Sequence, residues 1–305
     1  MVALGRAGRP VVALDALDPS LYPRAVKESN LAWARVAGGE HAFVEADIRD
    51  RRALEKVFAR HAIDAVLHLA AAPGVRASVR DPDRAFDVNV SGTLVLLEAA
   101  RAAGVRRFVL ASSSSVYGAR TETPFSEDAS ADRPLSPYAA SKAAMELLAH
   151  AHHAAYGLDV TCLRFFTVYG PRQRPDMAIH TFLRGALDGV PVPLYGDGSA
   201  ARDYTYVEDV ARAACAALDR AEGYRVVNVG SGCPISLRDL LAAVAEVTGR
   251  APRIDRRAPQ LGDVPITCAD LRRAAAELGY CPKVRLREGL ERTWAWMCAA
   301  ARRAA

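Results

Sequence analysis

Short apolar runs alternate along the chain with longer segments of helical character. Residues 11–14, 41–44 and 65–69 are apolar runs, and each is followed by a segment with apolar positions at helical spacing. A further run, residues 107–111, leads into four consecutive serines. Strands that alternate with helices form a parallel, doubly wound sheet. The pattern therefore predicts an α/β fold of Rossmann type.

The second half of the chain predicts a different kind of unit. A helix over residues 138–155 and a strand over residues 160–166 continue the alternation, and beyond them proline and glycine become more frequent. We expect one domain over residues 1–168 and a smaller substrate-binding subdomain over residues 169–305, with later segments returning to the first. Other predicted helices lie over residues 84–103 and near residues 208, 236, 270 and 287.

The first ten residues depart from this pattern. A dinucleotide fold begins with a strand and a glycine-rich turn, but neither Gly5 nor Gly8 follows a strand. This stretch resembles the end of a helix with its glycine cap, leading directly into what is usually the second strand. The usual first strand is central, so we expect two strand edges without partners. Either the sequence begins late or the protein is impaired, and the complete downstream motifs favour a late start.

Composition excludes several classes of function. The net charge is +5, but the arginines are scattered among acids and form no basic stripe, which argues against nucleic acid as a partner. The six cysteines form no CxxC pair and no metal-ligand spacing, as expected of reduced thiols in a cytoplasmic protein without a metal site. No apolar run approaches the length of a membrane span and no signal peptide is visible.

Tyr138 and Lys142 are the strongest candidates for catalysis. Ser136 and Pro137 are typical of a helix start, so Tyr138 and Lys142 lie on one helical face at positions i and i+4. A neighbouring ammonium favours the phenolate and lowers the pKa of a tyrosine, which can then exchange a proton with a substrate hydroxyl. Only four of the 40 basic residues are lysines, so a lysine at this position suggests a role that arginine performs badly.

Ser113 and Ser114 stand where the strand over residues 107–111 ends. Ligands of open parallel sheets bind at the carboxyl ends of the strands. A serine run is often only a polar loop, but these serines leave a buried strand directly. We therefore expect them to belong to a binding site.

These motifs together resemble a known family. Ser-Ser-Ser-Val-Tyr-Gly over residues 113–118, Tyr-x-x-x-Lys over residues 138–142 and Leu-Arg-Phe-Phe-Thr-Val-Tyr-Gly-Pro over residues 163–171 are similar to the extended short-chain dehydrogenase/reductases. Within them the chain is most similar to the nucleotide-sugar 4-epimerases, from about residue 11 to its end. The resemblance implies an enzyme with NAD as cofactor, a UDP-sugar as substrate and a homodimeric assembly.

The resemblance also implies the residues that bind the cofactor. A carboxylate that ends the second strand, here Asp15, binds the adenosine ribose diol and would repel a 2′-phosphate, which favours NAD over NADP. The positions that match the cofactor-binding residues of the family are Asp15, Asp47, Ile48, Leu69, Ala70, Ala71, Asn89, Tyr138 and Lys142.

The serine motif bears on the type of reaction. Related dehydratases and decarboxylases carry acidic residues in this motif, because removal of water needs an acid and a base. Here Ser113, Ser114 and Ser115 occupy those positions. The resemblance then implies epimerisation at C4 by oxidation and re-reduction, with Tyr138 as the base, Lys142 lowering its pKa and Ser113 relaying or orienting the proton.

The substrate is predicted from Thr167 and its neighbours. Glucose/galactose epimerases usually have Asn where Thr167 stands, and residues 167–178 are similar to the branch that acts on UDP-glucuronate. Hydroxyls of Ser113, Ser114 and Thr167 could bind the C6 carboxylate. By resemblance, Arg174 joins the substrate site, Arg202 binds the diphosphate and Asp263 the ribose, whereas Gln260 replaces a common Arg. UDP-glucose or UDP-galactose is the alternative substrate, and a catalytically impaired nucleotide-sugar-binding protein is the alternative class.

The predicted helices over residues 84–103 and 138–155 carry more apolar residues than one core-facing stripe requires. We expect them to pair with their copies in a two-fold dimer, unless loops of the same chain cover them. The apolar and flanking positions are Leu94, Leu96, Leu97, Ala99, Ala100, Met145, Leu148, Ala149 and His152.

Overall fold

The structure, a computed structural model, describes residues 1–39, 41–259 and 263–304. Its strands are β1 (Val12–Asp15), β2 (Ala42–Glu45), β3 (Ala65–His68), β4 (Arg107–Ser113), β5 (Asp159–Phe165), β6 (Thr167–Tyr169), β7 (Val192–Tyr195), β8 (Ala201–Tyr206), β9 (Tyr224–Val229), β10 (Pro234–Ser236) and β11 (Ile254–Arg257). Its α-helices are α1 (Val2–Arg6), α2 (Arg24–Gly38), α3 (Arg51–Arg60), α4 (Val75–Arg80), α5 (Pro82–Phe86), α6 (Gly92–Ala102), α7 (Pro137–Tyr156), α8 (Ala178–Asp188), α9 (Val207–Asp219), α10 (Leu237–Thr248), α11 (Arg272–Leu278) and α12 (Leu286–Ala304). A π-helical segment spans Asp87–Ser91, and a 3₁₀ turn spans Ser114–Tyr117.

The chain forms two compact units. Unit 1 comprises Met1–Gly118, Ser130–Arg164 and Ala211–Val227, and unit 2 comprises Ala119–Ala129, Phe165–Val210 and Asn228–Ala305. In the described part of the chain, no helix combines the length and apolar character that crossing a membrane requires.

The parallel α/β architecture expected from the sequence is confirmed. Strands β3, β4, β5 and β9 form a sheet in that order, and β3 and β4 run parallel with Ala65 opposite Arg107. Strands β1 and β2 form a separate parallel pair with Val12 opposite Ala42. The strands predicted from apolar runs all occur within two residues of their expected ends.

The sheet is divided where a Rossmann fold has its central strand. Doubly wound sheets of this type have the order 3-2-1-4-5-6. Strands β2 and β1 correspond to positions 3 and 2, and β3, β4 and β5 to positions 4, 5 and 6. Among the described residues, β1 pairs only with β2 and β3 pairs only with β4. The expectation of two unpartnered strand edges is therefore confirmed.

The strands next to the gap are also less buried than the strands away from it. The five central residues of β4 and of β5 are buried, whereas Val12, Ala13 and Leu14 of β1 are only half-buried. The first three residues of β3 are also half-buried, and Leu69 directly after it is 55% exposed. A central strand flanked on both sides should bury its apolar residues. In the described part of the chain, β1 and β3 therefore leave apolar surface uncovered at the edges that face no other strand.

The amino-terminal segment is the end of a helix, as the sequence indicated. Helix α1 ends at Arg6, and Gly8 adopts the left-handed conformation with φ of 70°. The Gly8 N–H donates to the Gly5 carbonyl at 2.9 Å, and the Arg9 N–H donates to the Leu4 carbonyl at 3.0 Å. This pair of bonds is the Schellman motif that commonly closes helices.

The core of unit 1 lies between the sheet and its helices. Leu97 of α6, Phe108 and Leu110 of β4, Met145 of α7 and Val160 of β5 are all fully buried in one cluster. This packing fixes α7 against β4 and so determines where the side chains at the start of α7 lie.

Two predicted elements are subdivided in the structure. The helix expected over residues 84–103 consists of α5, the π-helical segment and α6. A π-helical turn inserts one extra residue and re-aims the side chains around it. The strand expected over residues 160–166 ends at Phe165, and Thr167–Tyr169 forms β6, which pairs with β8.

Unit 2 contains two small sheets. Strands β10, β8 and β6 form one, and β11 and β7 form the other. Its core includes Phe182 and Leu183 of α8, Leu240 of α10 and Leu290 of α12. Asp203 of β8 is fully buried, and its carboxylate accepts hydrogen bonds from the backbone N–H groups of Ser231, Gly232 and Ala269 and from the hydroxyls of Ser231 and Thr205.

Candidate active site

The candidate catalytic tyrosine, Tyr138, lies in the first turn of helix α7. Ser136 caps the helix by accepting a hydrogen bond from the Ala139 N–H at 3.1 Å, and Pro137 occupies its first turn. The backbone N–H of Tyr138 donates to the Ser78 hydroxyl at 2.9 Å. Two successive backbone N–H groups of this first turn are therefore bound by side-chain oxygens, which satisfies donors that a helix start leaves free.

Lys142 lies one turn along the same face, as the sequence predicted. Its Nζ is 5.9 Å from the centre of the Tyr138 ring and donates to the Ala111 carbonyl of β4 at 2.7 Å. The side chain is only 2% exposed. Burial lowers the pKa of Lys142 to about 8, although Glu146 and Cys162 counteract this effect. At neutral pH the side chain is mostly protonated, so a positive charge stands beside the tyrosine ring.

The serines at the end of β4 form a tight turn. The Ser113 hydroxyl accepts hydrogen bonds from the Ser115 N–H at 3.2 Å and from the Ser115 hydroxyl at 2.8 Å. Ser113 and Ser114 are half-buried. Gly118 ends the turn with φ of 64°, and a Cβ there would lie 2.1 Å from the Arg133 carbonyl oxygen. The turn is therefore closely restricted in shape, and it packs directly on α7.

Asn89 is the most highly connected of the predicted cofactor residues. It is fully buried in the π-helical segment, and its Oδ1 accepts the Ala72 N–H at 2.7 Å. Its Nδ2 donates to the Ala72 carbonyl at 3.2 Å and to the Ser141 hydroxyl at 2.9 Å. This amide therefore ties the segment after β3 to helix α7. Ala70 and Ala71 in that segment are half-buried and small, so a ligand could approach the backbone closely.

Two predicted carboxylates lie at the carboxyl ends of neighbouring strands, Asp15 as the last residue of β1 and Asp47 two residues after β2. Asp15 is exposed, and its Oδ1 accepts the Leu17 N–H at 2.7 Å. Asp47 accepts hydrogen bonds from the backbone N–H and guanidinium of Arg49, and this bonding lowers the pKa of Asp47. Ile48 is buried against Gly92. Asp15 is thus the more accessible of the two carboxylates.

The predicted substrate residues of unit 2 form two local groups. Arg202 of β8 lies 3.7 Å from the Asp263 carboxylate, so these two predicted contacts are adjacent. Thr167 is half-buried and pairs with Tyr204. Arg174 forms an ion pair with Asp176 at 3.1 Å, a local contact that the sequence analysis did not anticipate. Gln260 lies outside the described residues.

Comparisons with known proteins agree with this arrangement. A family model described as the NAD dependent epimerase/dehydratase family matches residues 3–230. The chain belongs to this family.

Individual relatives and solved structures show which members of the family the chain resembles. The chain is 42% identical to the UDP-glucuronate 4-epimerase of Thermodesulfobacterium geofontis over 83% of this chain and 78% of the relative. It resembles the UDP-glucuronic acid 4-epimerase of Bacillus cereus, solved with UDP-glucuronic acid and NAD, with a TM-score of 0.90, 33% identity and coverage of 97% and 93%. The UDP-glucose 4-epimerase of Thermotoga maritima, solved with UDP-glucose, gives a TM-score of 0.90, 33% identity and coverage of 98% and 94%.

The residues of this epimerase/dehydratase-family chain fit NAD in part. An exposed carboxylate at the end of β1 suits a ribose diol, and small residues held by Asn89 after β3 suit close passage of a cofactor. A pyrophosphate usually binds at a glycine turn between a strand and a helix. Within the described ranges no strand precedes α1, so we assign no pyrophosphate contact.

A buried polar network beside Lys142 was not predicted from the sequence. The Glu146 carboxylate accepts hydrogen bonds from Arg164 Nε at 2.9 Å and Nη2 at 2.7 Å, and from the Ser112 hydroxyl. The Arg164 guanidinium lies 4.8 Å from the centre of the Tyr117 ring. Glu146 could have been found as an isolated acid four residues after Lys142 in an alanine-rich helix.

Proposed function

We propose that this chain is an NAD-dependent 4-epimerase of a UDP-sugar, with UDP-glucuronate as its preferred substrate. The observation that carries the proposal is the Tyr138–Lys142 pair on α7, with a buried ammonium one turn from the phenol and a serine turn packed on the same helix. In this arrangement Tyr138 would act as a base with a positive neighbour, on a helix that packs against the serine turn. Such a site suits proton removal from a sugar hydroxyl.

Each catalytic residue has a distinct proposed role. Tyr138 removes the proton of the sugar 4-hydroxyl and later returns it. Lys142 stabilises the phenolate by its charge, because a cation nearby lowers the pKa of a tyrosine. Ser113 orients the sugar hydroxyl or relays its proton. A bound NAD would supply the hydride-transfer chemistry at C4 of the sugar, out from one face and back to the other.

The cofactor would be held mainly by residues of unit 1. Asp15 would bind the adenosine ribose, while Asp47 and Ile48 would lie near the adenine. Leu69, Ala70 and Ala71 would let the cofactor pass the end of β3. Asn89 would keep that segment in place, because its amide bonds both polar backbone groups of Ala72. Unit 1 is thus proposed as the main cofactor-binding part and unit 2 as the main substrate-binding part.

The composition of the serine turn supports epimerisation over elimination. Dehydration across C5 and C6 needs a base for the C5 proton and an acid for the leaving hydroxyl. Ser113, Ser114 and Ser115 offer hydroxyls at the turn. Oxidation and re-reduction at C4 need no further carboxylate, so this reaction is the one the turn supports best.

The substrate assignment rests on three hydroxyl groups and on the adjacent side chains of Arg202 and Asp263. Ser113, Ser114 and Thr167 would donate to a C6 carboxylate. Arg202 would bind the diphosphate and Asp263 the uridine ribose, with Arg174 as a further substrate contact. UDP-glucose or UDP-galactose is the second candidate, because the Thermotoga maritima UDP-glucose 4-epimerase is as similar to this chain as the Bacillus cereus enzyme.

Product analysis tests the proposal. The chain would be incubated with UDP-glucuronate both as given and with a strand and Gly-x-x-Gly-x-x-Gly segment placed before Met1, and the products would be followed by NMR. We expect UDP-galacturonate without added NAD in at least the extended form, because the cofactor is regenerated in each cycle. A pentose with carbon dioxide, or a deoxysugar, as the main product would contradict epimerisation. UDP-sugar binding without turnover in both forms would favour the binding-protein alternative.

We also propose a homodimer formed through α6 and α7. Most apolar residues on which this expectation was based, including Leu97 and Met145, are buried within the same chain and cannot serve a partner. Support comes instead from Leu94, Leu147 and Tyr156, which are 40%, 72% and 56% exposed. Large exposed apolar side chains on two helices suit a helix-pair interface. A monomer in light scattering at micromolar concentration would contradict the dimer.

The proposed compartment is the cytoplasm. All six cysteines are free thiols, and Cys162 and Cys268 are buried. Free thiols suit a reducing environment.

A further inference from the structure

The buried ion pair between Glu146 and Arg164 does more than join α7 to β5. Glu146 is 6% exposed and Arg164 is 5% exposed. The two guanidinium N–H bonds to the carboxylate form a fork, which fixes both planes relative to each other. The pair is therefore a rigid point at the centre of unit 1.

The pair holds both ends of the serine turn. Ser112, directly before the turn, donates its hydroxyl proton to Glu146. Tyr117, which ends the 3₁₀ turn, presents its ring to the guanidinium of Arg164 at 4.8 Å. Ser113, Ser114 and Ser115 lie between these two contacts in sequence. A shift of the pair would consequently move the hydroxyls that are proposed to face the sugar.

The carboxylate of the pair belongs to the residue one helical turn after Lys142, so Lys142 and Glu146 share one face of α7 and are neighbours. The groups that influence or face the Lys142 ammonium are the Tyr138 ring, Glu146, Cys162 of β5 and His68 of β3. Burial raises the pKa of the Cys162 thiol, and burial together with the Lys142 charge lowers the pKa of His68 to about 3, so both are neutral at pH 7. Among these four groups, Glu146 alone offers a charge that favours the ammonium.

Stability alone does not account for such a pair. Removing two charges from water costs several kcal/mol per ion, and apolar replacements of similar volume are often neutral or stabilising. This pair joins α7 to β5 and contacts Ser112 and Tyr117, at the two ends of the serine turn. Such contacts suit a role in positioning the site residues.

We propose that Glu146 and Arg164 are positioning residues, whose carboxylate end keeps Lys142 charged against the Ala111 carbonyl and whose guanidinium end fixes the serine turn. This role rests on the proposed function of Tyr138 and Lys142. Neither residue needs to touch the substrate.

The titration of Lys142 tests the proposal without substrate or cofactor. The chain has four lysines, so labelling lysine with ¹³C at Cε gives four signals, which Lys→Arg variants at positions 27, 56 and 283 assign. In Glu146→Gln we expect the Lys142 midpoint to fall by about one pH unit, while the other three stay unchanged. Loosening of the structure would have the opposite effect, because exposure to water raises a buried lysine toward its ordinary value.

Two further variants make the result decisive. Glu98→Gln removes a hydrogen-bonded glutamate of α6 and should leave the Lys142 midpoint in place. If Glu146→Gln does not fold, Glu146→Gln/Arg164→Met avoids leaving the buried guanidinium without its carboxylate, and the midpoint should again fall.

An unchanged or raised Lys142 midpoint in the folded variant or variants would overturn the proposal. Because the titration needs no turnover, that outcome leaves the proposed epimerase function intact. A lowered midpoint in a protein that epimerises no UDP-sugar would instead support the pair's action on Lys142 and count against the proposed function.

Discussion

The two sides of unit 1 differ in how completely their strands are partnered. Around β4 and β5 the sheet is continuous and the strands are buried. The backbone at Tyr138 is fixed by the helix cap and Ser78, the Lys142 side chain by the Ala111 carbonyl, and Ser113 by a tight turn. At β1 and β3 the described sheet is divided and the apolar residues are half-exposed. The difference shows that the proposed proton-transfer groups can be ordered by β4, β5 and the helix packed on them, while the edges of β1 and β3 have no described strand between them.

Replacing Tyr138 tests the side of unit 1 around β4 and β5, and we expect it to have the largest effect on turnover. Tyr138→Phe removes the proposed base without changing the shape of the helix. Turnover in the form of the protein that epimerises UDP-glucuronate should fall by about 10²–10⁴-fold, whereas UDP-sugar binding is retained. Kinetics by NMR and calorimetry of UDP-glucuronate binding check both parts. Undiminished turnover would show that another group is the base.

Adding a strand between β1 and β3 tests the other side of unit 1, where the described sheet is divided. A strand and glycine loop placed before Met1 would fill the position between β1 and β3 and offer backbone N–H groups to the pyrophosphate. Two or three hydrogen bonds to a charged group, at about 1.5–3 kcal/mol each, predict a gain in NAD affinity of at least about 10²-fold. Calorimetry with NAD compares the two forms. Equal affinities would mean that the described residues already bind the cofactor fully.

A pair of leucines compares the two sides directly. Leu110 of β4 is fully buried and Leu14 of β1 is half-buried. Leu110→Ala should lower the free energy of unfolding by about 4 kcal/mol and Leu14→Ala by about 1–2 kcal/mol, because the cost follows the apolar surface and cavity created. Urea unfolding of both variants measures the difference. Equal losses would remove the contrast between the two sides.

The pH dependence of stability tests the burial of Lys142. Burial lowers the pKa of Lys142 to about 8, whereas a lysine in an unfolded chain titrates near 10.4. Between these values the unfolded chain binds more protons, so this group makes the protein more stable as pH rises. Relative to Lys142→Met, the native protein should gain about 2 kcal/mol between pH 7 and pH 10. Urea unfolding at several pH values checks this, and parallel curves would contradict it.

The sequence predicted the elements better than their connections. Apolar runs located β1 to β5, and the Tyr138–Lys142 spacing located the candidate site, because both signals are local in the chain. Glu146 and Arg164 were missed because their partnership joins positions on different elements. The π-helical turn at Asn89 was missed because no local signal distinguishes it from a regular helix. Arg174 was assigned by motif alone, and its local ion pair with Asp176 depends on loop geometry.

The buried carboxylate of Asp203 has a consequence for its neighbour Arg202. Successive residues of a strand point to opposite faces, and five hydrogen bonds hold Asp203 on one face of β8. The backbone beneath Arg202 has therefore lost its conformational freedom on folding. An anion that binds this arginine would need to restrict only a side chain, and the entropy lost on binding would be correspondingly small. Asp203 would in this way raise the affinity of Arg202 for an anion without contacting that anion itself.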